Sequence, residues 1–315
     1  MGESSRRIVA GKYELLEMVG QGGMASVWRA SVTDEPGVIV AVKKIKPQYK
    51  RSKSYQSMFI EEARVGGLVD HANIVQVVDF CIDENDDHYL IMEWMDGVDL
   101  GSFCDSYIKS KKKTPWRLVV AICAKAMRGL AAAHERVVDG ASSPIIHRDV
   151  SPHNILVDST GAVKLTDFGL ARAQDRVYSL TKPGTVKGKA SFLAPEQTRG
   201  EAATEQTDIF SAGIVLWESL AGKRLFDKPS VLEILQQIRK GDVASLTAAR
   251  KKLPTDLVNV VNKALAYKAE NRFQSAAELA DALDAVLEAD GKPVTDEDIG
   301  DHAMIARKRL AARRR

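Results

Sequence analysis

The residues best suited to chemistry lie in two short stretches. One runs from His147 to Asn154 and reads His-Arg-Asp-Val-Ser-Pro-His-Asn, and the other, further along the chain, is Asp-Phe-Gly at 167–169. Phosphoryl transfer from ATP needs a carboxylate that orients the attacking hydroxyl and receives its proton, and oxygen ligands that hold Mg²⁺ across the phosphates. Asp149, followed by Asn154 and then Asp167, supplies that set. The spacing therefore predicts a phosphoryl-transfer site.

The elements that must position these residues can be predicted from periodicity. Residues 13–45 alternate and are β-branched around two turns, which predicts three antiparallel strands. The first turn, 20–27, reads Gly-Gln-Gly-Gly-Met-Ala-Ser-Val. Because glycine has no Cβ, backbone N–H groups in such a loop can approach phosphate oxygens closely. Taken alone this is a weak signal, since an ordinary tight turn has the same composition. A helical pattern follows over 55–68, and 75–80 and 88–92 favour further strands.

Composition limits the class of protein. The chain has 315 residues, with 45 basic and 42 acidic side chains and a formal charge of +3. It is long enough for two lobes, and the charge alone predicts no specific nucleic-acid partner. Cys81, Cys104 and Cys123 are odd in number and far apart, which favours a reducing, cytoplasmic compartment. The first residues lack the apolar core of a signal peptide. The most apolar stretches are interrupted by charges and predict buried helices.

Together the motifs resemble the protein kinase family, and in particular the eukaryotic-type (Hanks-type) serine/threonine kinases of bacteria. The resemblance rests on the glycine-rich turn, the Val-Ala-Val-Lys of 40–43, the two stretches above and the Ala-Pro-Glu of 194–196. It implies an α+β, two-lobed kinase fold over 13–288. A small antiparallel sheet with one helix would occupy about 13–95, and a larger, mainly helical lobe about 96–288. Residues of both lobes would bind ATP.

The resemblance assigns roles to individual residues. It implies that Lys43 orients the α- and β-phosphates and is held by a helix carboxylate, Glu62, with Glu61 as the alternative. It implies Asp149 as catalytic base, and Asn154 and Asp167 as ligands of Mg²⁺, or of Mn²⁺ in its place. The residues implied to contact the nucleotide are Gly20, Gln21, Gly22, Gly23, Val27, Ala41, Lys43, Met92, Glu93, Met95, Asp99 and Leu156. In this set Met92 is the gatekeeper, the backbone of Glu93 and Met95 meets adenine, and Asp99 accepts from the ribose.

The resemblance also has structural and functional consequences. His147 and Phe168 are implied to stack in an apolar spine, and Glu196 and Arg272 to form a buried ion pair without a catalytic role. The implied acceptor is a serine or threonine hydroxyl of a protein. A pseudokinase or scaffold of the same fold is the alternative. A small-molecule kinase is disfavoured because it would not be expected to carry the Ala-Pro-Glu segment.

Residues 289–315 lie beyond the resemblance and end in an arginine-rich stretch. This composition favours a basic, frayed and solvated tail. The alternative is an electrostatic contact with acidic lipid, nucleic acid or an acidic partner, made through this tail only. The basic run 109–113 is expected to be a solvated loop between helices.

The activation segment yields a first prediction. Arg148 stands beside the catalytic aspartate, which in this family marks kinases whose activation segment is ordered by a phosphate. The candidate sites are Ser179, Thr181 and Thr185, and the candidate partners besides Arg148 are Arg172 and Lys164. Arginine binds phosphate through charge-assisted hydrogen bonds, so we expect autophosphorylation, with self-association of the chain, centred on Thr181 and secondarily on Thr185. Phosphosite mapping by mass spectrometry tests this. An active enzyme that tolerates Thr181→Ala and is modified only outside 178–185 contradicts it.

Two positions depart from the family pattern. Serine/threonine kinases usually carry Lys two residues after the catalytic Asp, where this chain has Ser151. They usually carry Thr after the glycine that precedes Ala-Pro-Glu, where this chain has Lys189. Negative charge spreads over the equatorial phosphoryl oxygens in the transition state, and a nearby ammonium stabilises it. Our hypothesis is that Lys189 supplies this charge and that the Ser151 hydroxyl helps to position it. The alternative is a solvent-facing Lys189 and weaker transfer.

A double-mutant cycle tests the exchange of these two residues. Lys189→Thr alone is expected to lower turnover because the transition-state charge loses its ammonium. Adding Ser151→Lys is expected to restore part of the loss. Steady-state phosphorylation rates of the four proteins provide the measurement. If Lys189→Thr leaves turnover unchanged, the hypothesis is wrong.

Overall fold

The computed structural model describes residues 7–168 and 187–312, without the side chains of Lys187 and Lys189. The predicted phosphorylation sites between 178 and 185 lie outside the described residues. The chain forms two compact units. The first comprises residues 1–70 and 75–95, and the second comprises residues 71–74 and 96–315.

The first unit is an antiparallel sheet with one long helix, α1 (Lys53–Gly66). Its strands are β1 (Arg7–Val9), β2 (Tyr13–Gln21), β3 (Ala25–Val32), β4 (Ile39–Ile45), β5 (Val77–Ile82) and β6 (His88–Glu93), in the spatial order β1-β2-β3-β4-β6-β5. The strands and the helix predicted from periodicity are confirmed to within a few residues. The predictions missed the short strand β1 and the single turn of 3₁₀ helix at Pro47–Tyr49.

The sheet of the first unit buries one face because its apolar residues alternate. The core on this face consists of Val9, Tyr13, Leu15, Ala30, Val32, Val40, Val42, Tyr89 and Ile91. Successive side chains of a strand point to opposite faces, so the same alternation leaves the other set of positions on the opposite face. Helix α1 contributes the fully buried Phe59. It ends at Gly66, where a Cβ would collide with Val77 of β5.

The second unit is mainly helical. Its helices are α2 (Leu100–Ile108), α3 (Trp116–His134), α4 (Lys187–Ala190), α5 (Pro195–Thr198), α6 (Glu205–Ala221), α7 (Val231–Lys240), α8 (Leu246–Ala249), α9 (Thr255–Ala264), α10 (Ala276–Asp290) and α11 (Asp296–Ala311). Helix α6 is buried on almost all sides, as its nearly continuous apolar sequence requires. No helix within the described ranges has both the length and the apolar character needed to cross a membrane.

Small strands complete the second unit: β7 (Gly97–Asp99), β8 (Val137–Val138), β9 (Ala141–Ser142), β10 (Ile155–Asp158) and β11 (Val163–Leu165). Strands β10 and β11 pair antiparallel, and β7 joins them in the order β11-β10-β7. Strands β8 and β9 form a separate two-stranded hairpin. Its turn residues, Asp139 and Gly140, both have positive φ, as a tight hairpin turn requires.

The prediction of a frayed, solvated tail is wrong for 296–311, which forms helix α11. Ile299, Ala303 and Ala306 recur with helical spacing and are buried. Thr295 caps the first turn by accepting from the Asp298 N–H. The helix is acidic in its first turn and basic in its last, which favours it through the helix dipole. The prediction rested on the arginine-rich end of the chain and overlooked the helical spacing and the Thr295 cap.

The predicted Glu196–Arg272 pair is present and buried. Arg272 donates from Nη1 and Nη2 to the two Glu196 oxygens at 2.8 and 2.9 Å, and Thr207 donates to Oε1 at 2.8 Å. Burial opposes ionisation of Glu196, but the hydrogen bonds from Arg272 outweigh it, and the pKa of this carboxyl lies below its usual value. The pair therefore stabilises the fold above the unfolded pKa of glutamate, and its contribution is lost as the pH falls through the folded pKa.

Arg272→Met is expected to lower the free energy of unfolding by about 3–5 kcal/mol because it leaves the Glu196 charge buried without its partner. Urea denaturation at neutral pH measures the change. The matched control is Lys268→Gln, which breaks the exposed contact with Glu270 at 4.0 Å and is expected to leave the midpoint unchanged. Equal effects of the two substitutions contradict the prediction.

Candidate active site

In the first unit, an ion pair joins β4 to α1. Lys43 Nζ lies 2.5 Å from Glu62 Oε1, and the two residues are only 6% and 8% exposed. Glu61, one residue earlier, instead bonds to Arg64 on its own helix, and both of these side chains are largely exposed. The structure thus pairs Lys43 with Glu62 rather than with Glu61. Helix periodicity gives the reason, since only one of two consecutive residues can face the sheet.

Strand register collects the predicted nucleotide-binding residues of the first unit on one face. Lys43 lies opposite Val27 of β3, and Ala41 lies opposite Met92 of β6. Directly opposed residues share a face, and so do residues two apart on one strand. Val27, Ala41, Lys43 and Met92 therefore form one contiguous patch. Ala41 and Met92 supply its apolar part and Lys43 its charge.

The glycine-rich turn is a regular hairpin tip between β2 and β3. Gly20 and Gln21 pair in register with Val27 and Ser26, and the Gly22 N–H donates to the Ala25 carbonyl at 2.9 Å. Neither Gly22 nor Gly23 has positive φ. A Cβ at Gly23 would meet no described atom within 4 Å. The described part of the fold gives no internal reason for these glycines, which fits a loop that a phosphate group approaches closely.

The segment that follows β6 carries the residues expected at the adenine. The Glu93 N–H donates to the Gln76 carbonyl at 3.0 Å, and Glu93 Oε1 accepts from the Gln76 N–H at 2.7 Å. This double contact fixes the backbone of Glu93. Met95, two residues on, ends the first unit and is half-buried.

In the second unit, the loop 147–154 is held by a bond between two of its predicted functional residues. Asn154 Nδ2 donates to the Asp149 carbonyl at 2.8 Å. A 3₁₀ turn, Pro152–Asn154, brings the two residues together. Ser151 precedes this turn, and its hydroxyl bonds to no other residue in the described part of the chain. The role proposed for Ser151 and Lys189 stays a prediction because the Lys189 side chain is outside the described set.

His147 links this loop to the residue before Asp167. Its Nδ1 accepts from the Asp149 N–H at 3.3 Å, and its Nε2 donates to the Thr166 carbonyl at 3.2 Å. A neutral imidazole satisfies both bonds. Burial lowers the pKa of His147, which keeps the ring neutral. The ring also packs on Phe168 with centroids 4.6 Å apart, as predicted.

Sequence reasoning gave no role to Asp208, which holds the loop from behind. Its carboxylate, fully buried in α6, accepts from the backbone N–H groups of His147 and Arg148, each at 2.7 Å, and from His134 Nε2 at 2.9 Å. Arg148 has a left-handed backbone, with φ 65°, which costs energy outside glycine. One signal was available, because an acid inside an apolar helix must find buried donors.

Asp99 ends β7 and caps α2. Its Oδ1 accepts from the Ser102 N–H and from His153 Nδ1, both at 2.9 Å, and its Oδ2 accepts from the Ser102 hydroxyl at 2.6 Å. Burial opposes ionisation, but the bonds from His153 and Ser102 outweigh it, and the pKa of Asp99 is lowered. Leu156 pairs directly with Asp99 across β10 and β7.

The residues predicted to bind Mg²⁺ lie at one end of the β10–β11 hairpin. Asn154 immediately precedes β10, and Asp167 follows β11 by two residues with a left-handed φ of 58°. The described residues contain no cluster of three or more His, Cys, Asp or Glu side chains that could hold a metal ion. An Asp and an Asn match Mg²⁺, which usually takes one or two protein oxygen ligands and completes its shell with phosphates and water.

Residues 13–283 match the family described as the protein kinase domain. The chain is 34% identical over 281 residues to the tyrosine-protein kinase MasK of Myxococcus xanthus, covering 88% of this chain and 43% of that protein. It is 31% identical to the serine/threonine-protein kinase PrkC of Bacillus subtilis, covering 90% and 41%. It is 36% identical to the serine/threonine-protein kinase PknB of Mycobacterium tuberculosis, covering 90% and 44%. The chain thus spans less than half the length of these relatives.

Solved structures give the same fold. The crystal structure of the Mycobacterium tuberculosis PknI kinase domain aligns with a TM-score of 0.65 and 25% identity, covering 91% of this chain and all of that one. The predicted α+β kinase fold is therefore confirmed.

The Lys43–Glu62 contact yields a prediction with a neighbouring control. Glu62→Gln is expected to lower the free energy of unfolding by about 3 kcal/mol, because it removes the buried carboxylate that the Lys43 ammonium contacts at 2.5 Å. Glu61→Gln removes the same charge one residue earlier, on the exposed side of α1, and is expected to change stability by less than about 0.5 kcal/mol. Thermal and urea denaturation provide the comparison. A larger loss of stability in Glu61→Gln than in Glu62→Gln would contradict the pairing of Lys43 with Glu62.

Proposed function

This chain belongs to the protein kinase family, and we propose that it transfers the γ-phosphate of ATP to serine or threonine hydroxyls of proteins in a Mg²⁺-dependent reaction. The observation that carries the proposal is the organisation of the loop 147–154. Asn154 bonds the Asp149 carbonyl, and His147 ties the same aspartate's N–H to the residue before Asp167. The proposed base and the proposed metal ligands are thus positioned by one hydrogen-bonded unit.

In the second unit, Asp149 acts as the general base. Its backbone is fixed on both sides, so its carboxylate can orient a hydroxyl and accept the proton as the oxygen attacks phosphorus. Asn154 and Asp167 hold the metal, which when bound neutralises charge on the phosphates. The neutral His147 takes no part in proton transfer and keeps the geometry between these groups.

In the first unit, Lys43 binds the α- and β-phosphates. The ammonium is buried, and Glu62 keeps it oriented on the same face as Val27, Ala41 and Met92. The apolar members of this patch suit a purine ring, and the glycine-rich turn suits the phosphates. The backbone of Glu93 and Met95 binds adenine. The nucleotide contacts that we propose within the second unit are Asp99 and Leu156.

The acceptor class rests on the relatives. Two of the similar proteins are named serine/threonine-protein kinases and one is named a tyrosine-protein kinase. We assign serine or threonine because two of these three relatives are so named and the motifs together resemble bacterial serine/threonine kinases, although Ser151 and Lys189 depart from that pattern. Phosphoamino-acid analysis of the autophosphorylated protein distinguishes the two classes, and phosphotyrosine alone contradicts the assignment.

Autophosphorylation of the activation segment is proposed as the control. Arg148 supports this, because its Nε is buried and has no hydrogen-bond partner among the described residues. A buried guanidinium nitrogen without a partner is costly, and a phosphate oxygen would satisfy it. The alternative function, a scaffold without transfer, is favoured by the two departures from the family pattern, Ser151 in place of the usual lysine and Lys189 in place of the usual threonine.

Asp149→Asn is expected to lower turnover by about 10²–10⁴ while leaving the fold and nucleotide binding nearly unchanged, because only the general base is lost. Asp167→Asn is expected instead to weaken Mg²⁺-dependent nucleotide binding. Peptide phosphorylation with labelled ATP and calorimetric titration with ATP, each with and without Mg²⁺, separate the two effects.

The matched control for these substitutions is Asp105→Asn, at an exposed residue of the same unit that pairs with Lys109. It is expected to behave as the unsubstituted protein in both assays. Full transfer activity in Asp149→Asn would rule out the mechanism. If the unsubstituted protein binds ATP but transfers no phosphate, the result supports the scaffold function instead.

A further inference from the structure

Helix α11 lies outside the region that matches the protein kinase domain, yet it packs tightly on the rest of the second unit. The match ends at residue 283, and α11 covers Asp296–Ala311. Ile299, Ala303 and Ala306 on one side of the helix are at most 1% exposed. Alanine and glycine on the packed side allow the helix axis to come close to the surface beneath.

Two glycines fix where the helix begins. A Cβ at Gly300 would collide with the Ser159 carbonyl, and a Cβ at Gly161 would collide with the Asp296 carbonyl. Gly161 also has a φ of 85°, a conformation that disfavours other residues. The first turn of α11 is thus in backbone contact with residues 159–161, the turn between β10 and β11.

Polar side chains anchor the rest of the helix. The Tyr107 hydroxyl lies 2.5 Å from His302 Nδ1, with the two rings stacked at 29°. Arg307 Nη1 donates to Asp96 Oδ1 at 2.7 Å, and Arg309 lies over the Tyr107 ring at 5.2 Å. These contacts tie α11 to α2 and to the residue before β7.

The surface beneath α11 is the far end of the sheet that carries the proposed chemistry. The Ser159 N–H donates to the Asp96 carbonyl at 3.2 Å. A backbone hydrogen bond therefore joins two of the sites that α11 contacts, the 159–161 turn and Asp96. Asn154, five residues before Ser159, lies at the opposite end of the β10–β11 hairpin, roughly 16 Å away at about 3.3 Å per residue, and Asp167 lies at the same end as Asn154. A Cβ at Gly97 would collide with the Val157 carbonyl, so the paired strands β7 and β10 are in close backbone contact.

We propose that α11 is a positioning element for the proposed nucleotide site. By gripping the 159–161 turn and Asp96, it sets the orientation of the short sheet β11-β10-β7 and thereby the placement of Asn154, Asp167 and Asp99. The proposal rests on the proposed function, since it concerns the affinity for Mg²⁺ and ATP. Because a packed interior transmits displacement, a shift at one end of a two-stranded hairpin moves its other end.

A bare stabilising role predicts something different. A helix that only covers apolar surface lowers the melting temperature when it is weakened, but the folded fraction then binds nucleotide as before. A positioning element changes the binding itself, above all its dependence on Mg²⁺, because two of the displaced residues are the metal ligands.

The test compares two Arg→Gln substitutions. Arg307→Gln removes the tie to Asp96, whereas Arg128→Gln removes ion pairs from α3 to Asp281 and Asp284 on α10 and leaves α11 untouched. ATP affinity is measured by calorimetry with Mg²⁺ and with EDTA, at a temperature where both proteins are folded. Arg307→Gln is expected to weaken binding in Mg²⁺ about three- to tenfold and binding in EDTA less, because Mg²⁺ demands near-ideal ligand geometry. Arg128→Gln is expected to retain both affinities.

Tyr107→Phe keeps the ring and removes the hydroxyl that meets His302, and is expected to act in the same direction as Arg307→Gln. If Arg307→Gln and Tyr107→Phe bind as the full chain does in both conditions, the proposal is overturned. If the full chain itself binds no ATP in either condition, it is the proposed function that fails.

Discussion

The buried carboxylate of Asp208 is the constraint on which the chemistry of the second unit depends. Removing a charge from water is costly unless donors surround it, and three donors do so here: two backbone N–H groups and His134. In return they hold Arg148 in a left-handed conformation that its side chain disfavours. The direction in which the chain leaves Arg148 decides where Asp149 stands. The buried Asp208 carboxylate of α6 thus sets the position of the proposed base.

Each of the two units contains a buried ion pair, and the two pairs have different roles. In the first, the Lys43–Glu62 pair orients an ammonium, and in the second the Glu196–Arg272 pair locks α5 against the residues before α10. Buried pairs of this kind contribute little net stability over an apolar packing, but losing one partner is costly. They specify which surfaces meet. In the first unit the consequence is a charge on the patch of Val27, Ala41 and Met92.

The short sheet β11-β10-β7 connects most of the remaining features. Asn154 and Asp167 flank its hairpin, Asp99 ends its third strand, and His147 bridges the gap between the loop and the strand end. Its far end meets α11, whose sequence lies outside the matched region. Three strands of three or four residues are too few to hold such an arrangement by themselves. Packing on both ends supplies the rigidity that the sheet lacks.

The spacing of Asp149, Asn154 and Asp167 predicted a phosphoryl-transfer site, and the resemblance to protein kinases added Lys43, because both depend on short local stretches of the sequence. Periodicity placed the strands and the helix of the first unit to within a few residues. These patterns kept Glu61 as the alternative to Glu62, assigned no role to Asp208 and predicted a frayed tail where α11 forms. The physical reason is common to all three. Each depends on which face meets a partner far along the chain, with Lys43 19 residues from Glu62 and His147 61 residues from Asp208. Only tertiary packing selects that face.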